Sequence, residues 1–343
     1  MSTIDTILNK YARDIDDTIK RVLADTPYFM HGVISYHFGW VDQTFKPASF
    51  SRGKMFRPTL NLLVFEAVRG DHHGALPAAA AIEMIHNFSL IHDDIEDDDL
   101  ERRGRPAAWT VWGKPRMINA GDFLYSLSFK ALSQLDPRKF PPETILAVHR
   151  LINQACLELT LGQDLDLSFE TLQEVSTEMY IDMVYKKTGA LVEAAVLSGV
   201  VLATSEESLI QNYHTFAQNI GIAFQIRDDI LGIWGDVAQT GKSSVNDLQR
   251  KKKTLPIIYM LDQSSGARGQ KLRGYYAHPQ PLSDEAVEFV RESLDLVDAY
   301  DYAQGVAHSY REKAFGALEK INISNQAQSE LEVIAKFLVD RSY

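Results

Sequence analysis

Apolar residues recur three and four positions apart through nearly every long segment of this 343-residue chain. That spacing matches the 3.6-residue period of an α-helix, and no segment shows the bounded apolar–polar alternation of a half-buried strand. No internal repeat or low-complexity tract interrupts the pattern. The sequence therefore predicts an all-α protein with one helical domain over residues 1–343, its helices packed around a central cavity or seam.

Composition indicates a globular protein and limits its partners. Hydrophobic residues make up 45% of the chain and charged residues 24%, which is ordinary for soluble domains. The formal net charge of -11 argues against nucleic acid, whose binding depends on clustered Lys and Arg. A single cysteine, Cys156, allows no internal disulfide and favours the cytoplasm. The N-terminal segment lacks the pattern of a secretion signal, and Glu193 interrupts the most apolar run, so we expect no membrane anchor.

An apolar helical stretch starting at Ile82 runs directly into six acidic residues out of the seven that end at Asp99. Asp93 and Asp97 are four apart, so on a helix they project from one face, about 5–6 Å from each other. Carboxylates at this spacing suit Mg²⁺, which completes its shell with water and phosphate oxygens. An acidic helix end exposed to solvent is the simpler interpretation. However, acidic residues at a helix C-terminus oppose the helix dipole, a cost that a bound cation would remove.

A second apolar helical segment, FQIRDDILGIW at 224–234, contains another aspartate pair, Asp228 and Asp229. Gln225 lies three and four residues before this pair, on a similar side of the helix, where it could orient a carboxylate or bind a ligand. One such pair is weak evidence of a metal site. Two pairs, each within an apolar helix, favour one.

Three basic clusters could supply the positive charge that an anionic ligand needs. Lys54 and Arg57 are three apart, just after Gly53. A second cluster, Arg102-Arg103-Gly104-Arg105, follows the acidic run, and surface ion pairing alone would explain it. The third brackets the second aspartate segment, although surface lysines are usually solvated. It comprises Lys186, Lys187, Thr188, Lys242 and residues 250–253.

Histidines allow a different metal chemistry. His86 and His92 flank the first aspartates, and a His–Asp set can bind transition metals. Such sites use more imidazole ligands than this oxygen-rich run offers, and a hydrogen-bonded core position explains either residue equally well. His72 and His73 fall in an apparent loop, and the sequence indicates no site for them.

The chain resembles the trans-prenyltransferases, also called polyprenyl synthetases, in a series of segments that occur in the family's order. These segments are GKMFRP, HNFSLIHDDIEDDDLERRGRP, YKKTGAL, FQIRDDILG, GK at 241–242 and KKTLP. The resemblance implies an isoprenoid synthase-type bundle of antiparallel helices around a central active-site cavity, and a homodimer. It also implies a prenyltransferase that condenses isopentenyl diphosphate with dimethylallyl, geranyl or farnesyl diphosphate to make a longer all-trans prenyl diphosphate.

The resemblance also assigns roles by position. The family's DDxxD motif maps onto Asp93, Asp94 and Asp97, with Asp93 and Asp97 as direct Mg²⁺ ligands and Asp228 holding the third ion. The catalytic set that this implies is Asp93, Asp94, Asp97, Arg102, Lys187 and Asp228. The residues implied for the allylic diphosphate are Arg102, Lys187, Thr188, Gln225 and Lys242. The residues implied for isopentenyl diphosphate are Gly53, Lys54, Arg57, His86 and Arg103.

Two positions concern how this chain differs from the family's motifs and which product length the resemblance implies. Gly232 stands where the last aspartate of a second DDxxD belongs, and Asp236 is four residues further on. Phe88 lies five residues before Asp93, about 7–8 Å down a helix. An aromatic residue there, beside a small residue such as Ser89, looks like the geranylgeranyl diphosphate synthases of the family, so we expect a twenty-carbon product. An ordinary core position is the other interpretation of Phe88.

Other functions remain open from the sequence. A class I terpene cyclase on the same fold would suit the altered second motif, but it would not need the second diphosphate site that Lys54, Arg57, His86 and Arg103 imply. A farnesyl or geranylfarnesyl diphosphate synthase would differ only in product length. A non-catalytic partner subunit is disfavoured by the intact first motif.

Overall fold

A computed structural model describes residues 3–51, 53–235, 248–278 and 280–340. Helices dominate these residues, which confirms the all-α prediction. In chain order, the elements are α1 (Thr3–Asn9), α2 (Ala12–Leu23), α3 (Tyr28–His37), α4 (Phe56–Arg69), a 3₁₀ turn (His73–Ala75), α5 (Leu76–Glu96), β1 (Glu101–Arg102), β2 (Arg105–Pro106), α6 (Ala108–Trp112), α7 (Lys114–Leu132), α8 (Pro142–Thr171), α9 (Thr177–Val184), a π-helical turn (Tyr185–Gly189), α10 (Ala190–Ala203), α11 (Glu207–Trp234), α12 (Leu255–Gln263), α13 (Gly266–Ala277), α14 (Asp284–Leu296), α15 (Ala299–Leu318) and α16 (Gln326–Asp340).

The chain divides into two compact units. The first comprises residues 1–154, 194–210 and 323–334, and the second comprises residues 155–193, 211–322 and 335–343. Helices α8, α10, α11 and α16 each contribute residues to both. The single domain expected over residues 1–343 stays a prediction.

Helix α5 is the centre of the first unit. It packs most extensively against α7 and also contacts α4 and α2. Four consecutive alanines, Ala78–Ala81, are fully buried, and the small side chains let neighbouring helices approach the α5 axis closely. Ile82, Met84 and Ile85 continue the buried stretch. This packing fixes α5 along most of its length and so positions the acidic residues at its C-terminal end.

The same helix has the apolar composition of a membrane span. Among the described residues, His73–Glu96 is long and apolar enough to cross a membrane. However, 67% of its apolar 18-residue stretch is buried inside the structure. The core helix of a folded domain meets the same criteria of length and composition.

A short hairpin follows α5. Strands β1 and β2 are antiparallel, with Glu101 opposite Pro106 and Arg102 opposite Arg105. The two residues between them, Arg103 and Gly104, have φ values of 55° and 71°, as a two-residue turn of type I′ requires. The sequence did not predict this hairpin, because strands of two residues are too short to show alternation. Its consequence is that Arg102 and Arg103 are held in fixed positions next to the acidic segment.

Two apolar clusters form the core of the second unit. One packs Ile222, Ile226 and Ile230 of α11 against residues of α9 and α15. The other gathers side chains of α12, α13 and α14 around Met260 and Leu272. The first cluster holds α9 beside the middle of α11, and this arrangement positions the second aspartate segment.

Candidate active site

The C-terminal end of α5 carries the first aspartate segment. Asp93 and Asp94 lie in its last turn, and Asp97 follows the last helical residue, with its N–H donating to the Asp93 carbonyl at 2.9 Å. That last turn contains no basic residue to offset the helix dipole. The Asp93 side chain is 25% exposed, and Asp97 is exposed. The buried helix therefore ends in a negatively charged group that solvent reaches.

Asp94, in contrast, is buried and paired with Arg102. Arg102 Nε donates to Asp94 Oδ1 at 2.6 Å, and Nη2 contacts the same oxygen. Nη2 also lies 3.5 Å from Asp93 Oδ2. Burial raises the pKa of Asp94 even though Arg102 acts to lower it. Burial acts to lower the pKa of Arg102, but the hydrogen bond and charge of Asp94 outweigh it, so that pKa is raised. Arg102 is thus a charged, fixed part of the aspartate segment.

Basic side chains gather around His86. Arg57 Nη1 lies 3.4 Å from His86 Nε2. Burial, followed by the charges of Arg57 and Arg103, lowers the pKa of His86 well below its ordinary value, so the ring is neutral at pH 7. A Cβ atom at Gly53 would lie 3.2 Å from Arg103 Nη2, and the Gly53 φ of 81° also favours glycine. Lys54 follows Gly53 and is exposed. The structure therefore brings Gly53, Arg57, His86 and Arg103 into one basic cluster, which suits a polyanionic ligand.

Buried polar residues that the sequence analysis missed surround this cluster. His37, at the end of α3, is buried, and burial together with the charge of Arg103 lowers its pKa well below the ordinary value. Asn87 Nδ2 donates to Glu83 Oε1 at 2.7 Å inside the core. Burial lowers the pKa of Arg103, and the charge of Glu83 opposes that shift. The available signal was two polar residues, Glu83 and Asn87, four apart in the mostly apolar stretch of α5 that precedes the aspartates.

The second aspartate segment centres on Asp229, which is buried in α11. The Tyr180 hydroxyl donates to Asp229 Oδ2 at 2.7 Å, and Gln225 Nε2 donates to Oδ1 at 2.9 Å. Thr188 Oγ1 donates in turn to Gln225 Oε1 at 2.9 Å. Burial and the charge of Asp229 raise the pKa of Tyr180 well above its ordinary value, so the hydroxyl keeps its proton. Asp228 is only partly buried. The sequence analysis named Asp229 as half of an aspartate pair but gave it no role, and it missed Tyr180. Together these two residues fix the predicted Gln225 and Thr188.

The π-helical turn positions Lys187. Lys187 Nζ contacts Asp166 Oδ2 on α8. Burial alone would raise the pKa of Asp166, but the charges of Lys252 and Lys187 outweigh it and lower that pKa. A Cβ atom at Gly162 would lie 2.2 Å from the Lys187 backbone nitrogen, so α8 can approach the turn only because residue 162 is glycine. Single π turns inside helices are uncommon and frequently occur at functional sites.

The two aspartate segments share a pattern. In each pair the second residue, Asp94 or Asp229, is buried and accepts side-chain hydrogen bonds. The first residue, Asp93 or Asp228, is partly exposed. Gly232 lies on α11 one turn after Asp228. Two residues singled out from the sequence, Asp236 and Lys242, lie outside the described residues.

An aromatic series runs beside the first segment. The Phe88 ring lies 5.0 Å from the Tyr125 ring of α7, and Tyr125 lies 5.2 Å from Phe129. Ser89 Oγ donates to the His86 carbonyl at 2.8 Å, so its hydroxyl is directed at its own helix. Phe88 is half-buried. A half-buried ring that packs on a second aromatic ring is well held in one position.

The carboxylates of the first unit and those of α11, each taken separately, are ligands that suit Mg²⁺ by their chemistry. Asp93, Asp97 and Asp228 offer carboxylate oxygens that are at least partly exposed, and Mg²⁺ prefers oxygen ligands. The imidazole of His86 is next to Arg57 rather than among carboxylates, which disfavours a transition-metal site there. The described residues thus combine oxygen donors for Mg²⁺ with a basic cluster for phosphate groups.

Known proteins resemble this chain over nearly its whole length. The family model for polyprenyl synthetase matches residues 39–294. The chain is 33% identical to a (2E,6E)-farnesyl diphosphate synthase of Mycobacterium bovis, over 95% of this chain and 90% of the relative. It is 36% identical to a geranylfarnesyl diphosphate synthase of Aeropyrum pernix, over 84% of this chain and 90% of the relative. The crystal structure of a geranylgeranyl pyrophosphate synthetase from Pyrococcus horikoshii matches with a TM-score of 0.87 and 33% identity, covering 99% of this chain and 98% of that one.

Proposed function

The chain belongs to the polyprenyl synthetase family and is a trans-prenyl diphosphate synthase, and we propose that it joins isopentenyl diphosphate to an allylic diphosphate to make geranylgeranyl diphosphate. The observation that carries the choice of substrates is the basic cluster around His86. A second anionic substrate needs a second set of cations, and a terpene cyclase has no use for one.

Isopentenyl diphosphate binds at Gly53, Lys54, Arg57, His86 and Arg103 in this proposal. Arg57 is 9% exposed and lies 3.4 Å from the neutral His86 ring, so its charge is weakly screened and attracts phosphate strongly. The neutral His86 ring can donate or accept a hydrogen bond without adding a charge. Glycine at position 53 lets the backbone approach the guanidinium of Arg103 and its ligand.

The allylic diphosphate is bound by Arg102, Lys187, Thr188, Gln225 and Lys242 in the same proposal. Asp93 and Asp97 would hold two Mg²⁺ ions, and Asp228 would hold the third. Bound there, Mg²⁺ would supply positive charge that stabilises the diphosphate as a leaving group. The pairing of Asp94 with Arg102 keeps that guanidinium beside the carboxylates, where it stabilises the same developing charge.

The reaction then depends on position. Breaking the C–O bond leaves an allylic carbocation and diphosphate, and the double bond of isopentenyl diphosphate supplies the electron pair of the new C–C bond. A proton leaves the carbon next to the resulting cation and is taken up by the departed diphosphate. The residues of the chain hold both substrates in register and exclude water, which would otherwise trap the cation.

Product length is proposed to follow from Phe88. The ring lies five residues before Asp93 on α5 and packs on Tyr125, so it is held in place rather than free to turn away from a growing prenyl chain. The named relatives make fifteen-, twenty- and twenty-five-carbon products, so membership of the family leaves this property to individual residues. Phe88 beside the small Ser89 supports the twenty-carbon product.

We also propose that the enzyme is a homodimer. Leu157 and Leu161 are four apart on α8, and 53% and 54% of their surfaces are exposed. Two large apolar side chains on one helix face are suited to burial against another protein surface.

The proposal is tested by supplying radiolabelled isopentenyl diphosphate and Mg²⁺ with dimethylallyl, geranyl or farnesyl diphosphate in turn, and separating the products by chain length. We expect label in a twenty-carbon diphosphate. No incorporation with any primer would overturn the synthase activity. A fifteen- or twenty-five-carbon end product would overturn the assignment of product alone, and hydrocarbon formed from geranylgeranyl diphosphate alone would support the cyclase.

A further inference from the structure

A second group of metal-ligating side chains lies at the other end of α5. One ligand atom from each of Asp14, His72 and His73 lies within 4.8 Å of the other two. The histidines belong to the turn that precedes α5, whereas Asp93 is in its last helical turn. Because α5 has 21 residues and rises about 1.5 Å per residue, about 30 Å separates its two ends. The cluster is therefore distinct from the first aspartate segment.

Each imidazole of the cluster has a carboxylate behind it. His72 Nδ1 lies 3.7 Å from Glu66 Oε2, and His73 Nδ1 lies 3.7 Å from Asp71 Oδ1. When an ion binds at Nε2 of a neutral ring, the ring proton lies on Nδ1, on the side of that carboxylate. His72 Nε2 already lies 2.8 Å from Asp14 Oδ2. An ion bound between these two atoms would take the place of that hydrogen bond.

The His72 ring is held from both sides. The Tyr11 ring, in the turn between α1 and α2, lies 4.8 Å from the His72 ring, and the His73 ring stacks on the His72 ring at 4.3 Å. Glu66 is fixed as well, because it accepts hydrogen bonds from the Tyr11 hydroxyl at 2.5 Å and from Lys10 Nζ at 2.9 Å. A ligand whose ring and supporting carboxylate are both fixed loses little conformational freedom when it binds an ion.

One side of the cluster is open to solvent. A surface crevice of about 560 Å³ is lined by Asp14, Asp17, Thr18 and His73, among other residues. The crevice gives room for the water molecules that would complete a metal's coordination shell. The His73 side chain is 69% exposed, so its ring can turn without disturbing the core. Such a turn would bring its nitrogen to the roughly 2.0–2.2 Å from the ion that a metal–ligand bond requires.

We propose that Asp14, His72 and His73 form a binding site for a divalent transition-metal ion such as Zn²⁺. Two imidazoles and one carboxylate with open positions are a donor set that selects Zn²⁺ and its neighbours over Mg²⁺, which prefers oxygen. The ion ties α2 to the turn between α4 and α5. The simpler interpretation, an ion pair that fastens the same elements without metal, uses only Asp14 and His72.

The test is a calorimetric titration of Zn²⁺ into the full chain in the presence of excess Mg²⁺, which occupies oxygen-only sites. The variants are His73→Gln, His72→Gln and Glu66→Gln. His308→Gln is the matched control, because that ring is 67% exposed and also lies near a carboxylate, 4.0 Å from Glu312. Zn²⁺ should also raise the thermal unfolding midpoint of the wild-type chain, because a ligand that binds only the folded state stabilises it.

We expect one Zn²⁺ per chain for wild type and His308→Gln, and loss of that binding in His73→Gln and His72→Gln. Glu66→Gln should weaken binding by about tenfold to a hundredfold, as for other residues that orient a metal-binding histidine. No Zn²⁺ binding under excess Mg²⁺ would overturn the proposal, and so would binding that His73→Gln leaves intact. Circular dichroism of each variant confirms that lost binding is not lost folding.

Discussion

Arg102 Nε donates to Asp94 Oδ1 at 2.6 Å, so the most buried carboxylate of the acidic run is already bound to an arginine of the chain. The side chains of Asp94 and Arg102 are 3% and 20% exposed. The pair therefore combines a structural role with a place beside the proposed metal ligands, and the two roles can be separated by experiment.

Asp94→Asn should destabilise the protein by about 2 kcal/mol, because Arg102 loses a buried, charge-assisted hydrogen bond. Asp98→Asn is the control. Its carboxylate is 70% exposed and pairs with Lys114, so its loss should cost less than about 1 kcal/mol. Urea unfolding of both variants measures the difference, and equal losses would contradict the structural role of the Asp94–Arg102 pair.

Stability should fall as the pH drops below about 6.5, in part because of His37. Burial lowers its pKa in the folded protein well below the ordinary value of 6.5, so in this window the unfolded chain binds a proton there and the folded chain does not. Unfolding is then favoured by up to about 1.4 kcal/mol per pH unit for this one group. Urea unfolding at several pH values between about 5.5 and 6.5 measures how the free energy of unfolding changes with pH. This change per pH unit should be smaller in His37→Gln than in wild type, by up to that amount. An unchanged slope would show that His37 is protonated in the folded state.

Arg57→Gln should raise the KM for isopentenyl diphosphate by about tenfold to a hundredfold, the worth of one charge-assisted hydrogen bond. The KM for the allylic diphosphate should change much less, because Arg57 belongs to the cluster around His86. Arg116→Gln, which removes an exposed arginine stacked on Phe29, is the control and should leave both values unchanged. A larger change in the KM for the allylic substrate than in that for isopentenyl diphosphate would show that the two substrates bind at the opposite sites from those proposed.

Tyr180→Phe should cost about 1–3 kcal/mol, because the buried Asp229 loses one of its hydrogen-bond donors. The variant should also lower kcat/KM for the allylic diphosphate, since Asp229 orients Gln225 and through it Thr188. Tyr276→Phe is the matched control: its buried hydroxyl has no hydrogen-bond partner among the described residues, so the variant should be as stable as wild type or more stable. A Tyr180→Phe protein with unchanged stability and kinetics would contradict this prediction.

Phe88→Ala should lengthen the product, because it removes the ring that packs on Tyr125 below Asp93. Chromatography of the products should show chains longer than twenty carbons. Phe140→Leu, which alters a buried aromatic residue that packs on Phe65, should lower stability without changing chain length. If Phe88→Ala keeps the wild-type product distribution, Phe88 does not set the length.

The sequence predicts best what depends on periodicity and adjacency. Apolar residues at helical spacing predicted the all-α fold, and the run of acidic residues after Ile91 marked the end of α5 at Glu96. Lys54 and Arg57 were grouped because they are close along one chain segment. The meeting of Arg57 with His86 and Arg103, in contrast, followed only from resemblance to a family.

Contacts between distant segments could not be predicted from these patterns. Tyr180 is 49 residues from Asp229, and nothing in a single tyrosine signals a hydrogen bond to a carboxylate. His37 looks like part of an aromatic helix end until the chain folds it next to arginines. The sequence indicated no site at His72 and His73, because their possible third metal ligand, Asp14, lies 58 residues before His72. A buried polar group gets its partner from the tertiary fold.

The π-helical turn at Tyr185–Gly189 contains one more residue per turn than a regular helix would. Deleting a single residue there would let the segment revert to ordinary helical pitch, which would redirect the side chains inside the turn while the helix on either side kept its register. Lys187 and Thr188 would then change direction while their chemical identities stayed the same. The working register of this segment thus depends on the number of residues in it as much as on their type, so insertions and deletions are a sharper probe of it than substitutions.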